Sequence, residues 1–143
     1  MTRLHIHVGV DDLAASIRFY STLFDAPPTL EKGDYAKWMI EDPRINFAIS
    51  QGQGAHGIRH LGLQVEGADE LKRIHERLSA AERRLIEEQD TTCCYARSTK
   101  SWSADPDGIV WESFFTHGDE VTYGGSPDLD ELRHAPPPVC CAA

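Results

Sequence analysis

Leu4, Ile6, Val8 and Val10 alternate with His5, His7, Gly9 and Asp11, the two-residue period of a strand with one apolar face, and predict a strand over 3–10. The period then changes. Leu13, Ile17, Tyr20 and Phe24 recur at helical spacing behind Asp11 or Asp12 as a cap, until Ala26-Pro27-Pro28 ends the helix. Strand-like pieces follow near 28–32, 35–40 and 45–50. The second half repeats the first: His60-Leu61-Gly62-Leu63-Gln64-Val65 reproduces the layout of His5-Ile6-His7-Val8-Gly9-Val10 at an offset of 55 residues. An amphipathic helix with Leu71, Ile74, Leu78 and Ala81 on one face comes next. Asp105-Pro106-Asp107-Gly108 makes a turn before the apolar run 109–115, much as Asp42-Pro43-Arg44 precedes 45–49. The pattern predicts an α+β fold of paired βαβββ units, about 1–52 and 56–118, in one domain spanning 1–120. In that alignment Ala48 corresponds to Glu112, and the second unit carries extra residues, 91–101 among them, ahead of its last strand. Residues 121–143, rich in Gly, Pro, Asp and Glu without periodicity, read as a flexible tail.

A chain of 143 residues sits at the common single-domain size and buries a core without disulfide staples. Its net charge of -9, with no basic run longer than Arg83-Arg84, excludes a general binder of nucleic acid or anionic membrane, which needs clustered Lys and Arg. No stretch approaches the roughly 18 apolar residues that span a bilayer. The N-terminus starts directly on the strand pattern and lacks a leader's apolar core, so a cytoplasmic location is expected. Thiols stay reduced there, and the 4 cysteines read as ligands or nucleophiles before bridges.

Two constellations carry chemistry. His5 and His60 occupy one position in the two repeats, each on the polar face of its strand, so pairing of the units brings two imidazoles together. Glu112 shares a strand face with Val110 and Phe114, where a carboxylate is costly unless something cationic meets it. Two imidazoles and a carboxylate are the ligand set of an open divalent site suited to Fe(II), Zn(II), Mn(II) or Ni(II); three unrelated residues is the plainer alternative. His7 points to the same face as His5 and rivals it, although only His5 maps onto His60. The second constellation is Cys93-Cys94. Adjacent Cα atoms are about 3.8 Å apart, below the usual disulfide minimum of about 4.4 Å, so the pair stays available as a dithiol for trivalent arsenic, Cd(II) or Zn(II). The alternative is two small buried side chains, against which the flanking Thr, Asp and Arg suggest an exposed segment. Cys140-Cys141 repeats the arrangement in the tail, as a second dithiol or an accident of the chain end.

The repeat layout, the opening His-x-x-x-x-Val-x-Asp-Leu-x-x-Ser-Ile-x-Phe-Tyr over 5–20, the His60-Leu61-Gly62 strand and the Asp105-Pro106-Asp107-Gly108 to Trp111-Glu112 ending resemble the vicinal oxygen chelate superfamily of glyoxalases, extradiol dioxygenases and antibiotic-resistance proteins. Within it, Thr91-Thr92-Cys93-Cys94-Tyr95, Lys100-Ser101-Trp102 and the terminal Cys-Cys resemble the ArsI carbon–arsenic lyase and CadI cadmium-induced protein family. The resemblance implies a curved, half-open mixed sheet and a non-haem Fe(II) enzyme that uses O₂ to split the carbon–arsenic bond of trivalent organoarsenicals. It implies iron on His5, His60 and Glu112, arsenic on Cys93 and Cys94, and Lys100 in a mobile gate loop. It also implies small-molecule partners only, in a superfamily whose members often dimerise. Some members carry Gln at the position of His5. Thiol sequestration of Cd(II) or As(III), or a glyoxalase or extradiol reaction, are the alternatives it leaves.

Overall fold

The computed structural model describes residues 1–52 and 54–134, so Cys140 and Cys141 lie outside the described residues. These residues fall into two compact units, Met1–Gln64 and Val65 onward. The first holds β1 (Arg3–Val10), α1 (Leu13–Phe24), β2 (Leu30–Lys32), β3 (Tyr35–Glu41), β4 (Arg44–Gln51) and β5 (Gly57–Gln64), with strand order β2-β3-β4-β1-β5. β1 runs parallel to β4 and antiparallel to β5, which makes the sheet mixed. α1 begins where the Asp12 side chain accepts from the Ala15 amide at 2.9 Å, which satisfies one of the orphan donors of the first turn. It ends at Asp25, in the left-handed region at φ 51°.

The apolar alternation in β1 does what its period predicts: Ile6, Val8 and Val10 pack against the cluster of Leu13, Ala36, Trp38, Phe47 and Ile49. The polar face of β1 is no less covered. His5 and His7 are only 6% and 2% exposed, so the strand is buried on both sides, although half of its pattern reads as polar. Groups with this hydrogen-bonding demand are costly to bury unless partners are supplied.

The second unit holds α2 (Ala68–Ala80), β6 (Ile86–Cys93), β7 (Ala96–Ala104), β8 (Val110–Asp119) and the short α3 (Asp130–Arg133), with β7 between β8 and β6. α2 buries Leu71 and Ile74 and carries Asp69 and Glu70 in its first turn and Arg77 in its last, a charge order that suits the helix dipole. The extra residues ahead of the last strand form the long β6–β7 hairpin. The turn before β8 forms as expected, with the Asp105 carboxylate accepting from the amides of Asp107 and Ile109, both at 2.9 Å.

Residues 121–134 depart from the loose tail that composition suggests. Leu132 is 3% exposed and packs with Trp102 and Val110, and Leu129 joins the same cluster. Two close approaches anchor the segment: a Cβ on Gly108 would lie 2.8 Å from the Arg133 carbonyl, and one on Gly124 would lie 2.0 Å from that of Thr92. A low density of apolar residues hid the few that matter. No helix among the described residues is long and apolar enough to cross a membrane.

Candidate functional site

In the first unit the register sets His7 opposite His60 and His5 opposite Gly62, so His5 and His60 are diagonal neighbours on one sheet face. Their Nε2 atoms are 3.2 Å apart. His5 Nδ1 is 3.1 Å from the Asn46 carbonyl oxygen; a carbonyl only accepts, so Nδ1 carries a proton, and in the neutral form of the ring Nε2 is left with the lone pair that faces His60. Asn46 is itself fixed, its amide donating to Gln64 Oε1 at 2.9 Å. His7 is engaged elsewhere, with Nε2 2.9 Å from the Ser50 hydroxyl.

In the second unit, Trp102 lies opposite Glu112 and Lys100 opposite Phe114. Lys100 and Glu112 are therefore diagonal neighbours on one face, with Nζ to Oε1 at 2.6 Å and side chains 4% and 6% exposed. Lys100 is thus not in a gate loop: it sits mid-strand in β7, its ammonium 5.5 Å from the Trp102 ring centroid and 5.9 Å from that of Phe114. Burial opposes its charge, but the Glu112 carboxylate and the Cys93 sulfur more than offset this and hold its pKa above the ordinary lysine value.

The β6–β7 hairpin closes on Cys94 and Tyr95, both at positive φ (55° and 59°), the sign pattern of a type I′ turn. Such turns favour Asn-Gly, and each non-glycine residue there costs about 1–2 kcal/mol. This left-handed pair brings the sulfurs together: Cys93 Sγ is 3.2 Å from Cys94 Sγ, where a continued strand would have set them on opposite faces. Upstream, a bulge between Glu88 and Thr91, with Asp90 at φ 48°, shifts the register so that Glu88 lies opposite Lys100 and Cys93 opposite Ala96. Glu88, Cys93, Lys100 and Glu112 consequently share one face of the unit's sheet. Cys93 is only 4% exposed, contrary to the exposed segment that its polar neighbours suggest.

The two thiols are unequal. The Cys94 thiol, hydrogen-bonded to Cys93, lowers the Cys93 pKa to about 6 against the cost of burial, helped by the Lys100 charge and the Ser126 hydroxyl and opposed by Glu112. The same bond, burial and the Cys93 charge push Cys94 well above an ordinary thiol, with Tyr123 pulling the other way. One thiolate and one thiol therefore coexist at neutral pH. In a Cys140→Ser/Cys141→Ser background, thiolate absorbance in the ultraviolet should show a single thiolate that protonates only as the pH falls through about 6, and no second step before strong alkali. Because its folded pKa is depressed, this thiolate stabilises the fold fully above the ordinary thiol pKa of about 8.5, and the contribution is lost as pH falls through about 6.

Tyr123 and Ser126, neither legible as site residues in a segment of tail composition, also reach the dithiol. The Tyr123 hydroxyl oxygen is 3.6 Å from Cys94 Sγ, and Ser126 Oγ is 3.4 Å from Cys93 Sγ.

Comparison with known proteins decides the family. Residues 2–113 match the model of the Glyoxalase/Bleomycin resistance protein/Dioxygenase superfamily. A trivalent organoarsenical cleaving enzyme of Bacillus sp. (strain MD1) is 38% identical over 99% of this chain and 83% of its own. The cadmium-induced protein CadI of Mycobacterium tuberculosis is 34% identical over 99% of this chain and 93% of its own. The chain belongs to the ArsI/CadI family of that superfamily. Solved members share its fold: the Mn(II)-bound glyoxalase of Novosphingobium aromaticivorans aligns with TM-score 0.59 at 14% identity, over 88% of this chain and 44% of that one. An extradiol ring-cleaving dioxygenase from B. fuscum aligns with TM-score 0.58 at 17% identity, over 85% of this chain and 34% of that one. The α+β class and the βαβββ repeats expected from the sequence are those of this superfamily.

Proposed function

We propose that this ArsI/CadI family member is a carbon–arsenic lyase, dependent on Fe(II) and O₂, that degrades methylarsenite and reduced aromatic arsenicals to arsenite in the cytoplasm. The observation that carries the reading is the strained hairpin tip, where two adjacent sulfurs lie 3.2 Å apart, that of Cys93 buried and that of Cys94 half-buried. Trivalent arsenic with one organic group has two exchangeable positions, and two thiolates satisfy both. The relatives named for organoarsenical cleavage, at 38% and 34% identity over 99% of the chain, point the same way.

Iron is proposed on His5, His60 and Glu112. The donor set fits: the Asn46 carbonyl fixes the His5 tautomer with its Nε2 lone pair facing the His60 ring, and Glu112 is a buried carboxylate held in position by Lys100. His5 is preferred to His7, whose Nε2 is bonded to Ser50. Ferrous iron held by two imidazoles and one carboxylate keeps positions open and supplies O₂ activation. The rest falls to the protein: Cys93 and Cys94 bind arsenic and orient its organic group, Lys100 fixes the Glu112 oxygen, and burial excludes water.

The test loads metal-free protein with Fe(II) under argon, adds methylarsenite, then admits air. Arsenite should appear only when both iron and air are present. Methylarsenite bound but unchanged under every condition would refute the lyase and favour sequestration by the thiols; the CadI relatives are named for induction by cadmium, not for cleavage.

A further inference from the structure

The segment after β8 lies across the dithiol and is held there by contacts that do not involve its hydroxyls. Gly124 bridges Cys93 in antiparallel fashion, the Gly125 amide donates to the Thr92 carbonyl at 3.2 Å, and the Glu120 amide donates to the Tyr95 carbonyl at 2.8 Å. The Tyr123 ring meets the Tyr95 ring edge-on, with centroids 5.6 Å apart. Gly124 sits at φ 74°, and a Cβ there would lie 2.0 Å from the Thr92 oxygen, so the strap can approach this closely only with glycine at that position. Onto this pinned backbone are set two hydroxyls, one for each sulfur.

We infer that Ser126 and Tyr123 act in turn during arsenical capture, Ser126 holding the Cys93 sulfur as the first nucleophile and Tyr123 relaying the Cys94 proton as the second arsenic–sulfur bond closes. This rests on the reading of the dithiol as the organoarsenical site. The chemistry balances with arsenic trivalent throughout. The Cys93 thiolate attacks an organoarsenous acid, one As–S bond forms, one As–O bond breaks, and the hydroxide takes a proton from solvent. At rest the Cys94 proton is shared with the Cys93 sulfur at 3.2 Å. Once that sulfur has given its lone pair to arsenic it is a poor acceptor, and the Tyr123 oxygen at 3.6 Å takes the proton. In the same concerted step Tyr123 passes its own phenolic proton to the second departing hydroxide, which leaves as water as the second As–S bond forms, so the phenol is neutral before and after. Both thiol sulfurs end on arsenic, and both oxygens leave as water.

The test is capture of phenylarsine oxide by metal-free full-length protein, in the Cys140→Ser/Cys141→Ser background, followed by the ultraviolet absorbance of the arsenic–thiolate bond in stopped flow. Wild type should show a second-order phase and then a first-order closure. Tyr123→Phe keeps the ring and the strap, and should slow closure about tenfold or more while changing the equilibrium affinity less than about twofold, because a proton relay speeds both directions equally. Ser126→Ala should slow the second-order phase instead. Closure at the wild-type rate in Tyr123→Phe overturns the inference, as does a loss of rate and affinity together, which marks a packing role. Failure of the wild-type dithiol to capture phenylarsine oxide at neutral pH would overturn the arsenical reading itself, and this inference with it.

Discussion

Methionine in place of Lys100 is expected to destabilise the metal-free protein by about 3–5 kcal/mol, because it leaves the Glu112 carboxylate buried without the ammonium that meets it at 2.6 Å. Methionine keeps most of the length and apolar stem of lysine, so little of the loss comes from packing against Trp102 and Phe114. Urea unfolding measures the effect as a lower midpoint at unchanged slope. The double variant Lys100→Met/Glu112→Leu should recover most of the loss, since replacing both partners of a buried pair by apolar groups is often neutral or better. The lysine's folded pKa is raised, so its contribution is complete below the unfolded value of about 10.4 and fades only as pH climbs through the higher folded one. The lysine's own ionisation therefore adds no pH dependence to the gap across the neutral range, and any dependence seen there reports the Cys93 thiolate that the same ammonium supports. A single variant as stable as wild type would mean that this contact orients Glu112 without supporting the fold.

The residues legible in the sequence were those whose position is set by a repeat. His5 and His60 come together because two strands with the same internal layout pair antiparallel, and the pairing could be anticipated from one apolar alternation copied 55 residues later. Glu112 was legible because an acid between Val110 and Phe114 on a strand face demands a cation. The identity of that cation was not. The family resemblance implies a gate loop for Lys100, and only the pairing of β7 with β8 places its ammonium against the carboxylate. The dithiol was visible as a motif, but its geometry was hidden. Cys94-Tyr95 has none of the usual turn chemistry, so nothing in the sequence marks where the hairpin reverses, and the bulge at Asp90 that selects the face of Cys93 leaves no signal of its own. Tyr123 and Ser126 were invisible for a different reason: local composition reports whether a segment can form its own core, not whether Leu129 and Leu132 can dock it on another.

Serine in place of Cys93 should lower the affinity for trivalent organoarsenicals about a hundredfold or more. The second sulfur of a chelate binds at the effective concentration set by its tether, and losing it forfeits a factor of about 10²–10⁴. The loss should be larger for Cys93 than for Cys94, because Cys93 supplies the sulfur already charged at neutral pH, while Cys94 needs Cys93 next to it to share its proton. Equilibrium dialysis of methylarsenite under argon measures this without any cleavage. The fold should persist, since serine is close to cysteine in size and can still bond to Ser126. Glu112→Gln separates binding from chemistry: it keeps the shape and a hydrogen-bonding oxygen beside Lys100 but removes the negative charge proposed to hold iron. It should retain methylarsenite capture at near wild-type affinity and release no arsenite in air. If Glu112→Gln still cleaves, the proposed iron ligation fails while the dithiol assignment stands. If Cys93→Ser binds as tightly as wild type, the arsenic site is elsewhere, whatever the metal does.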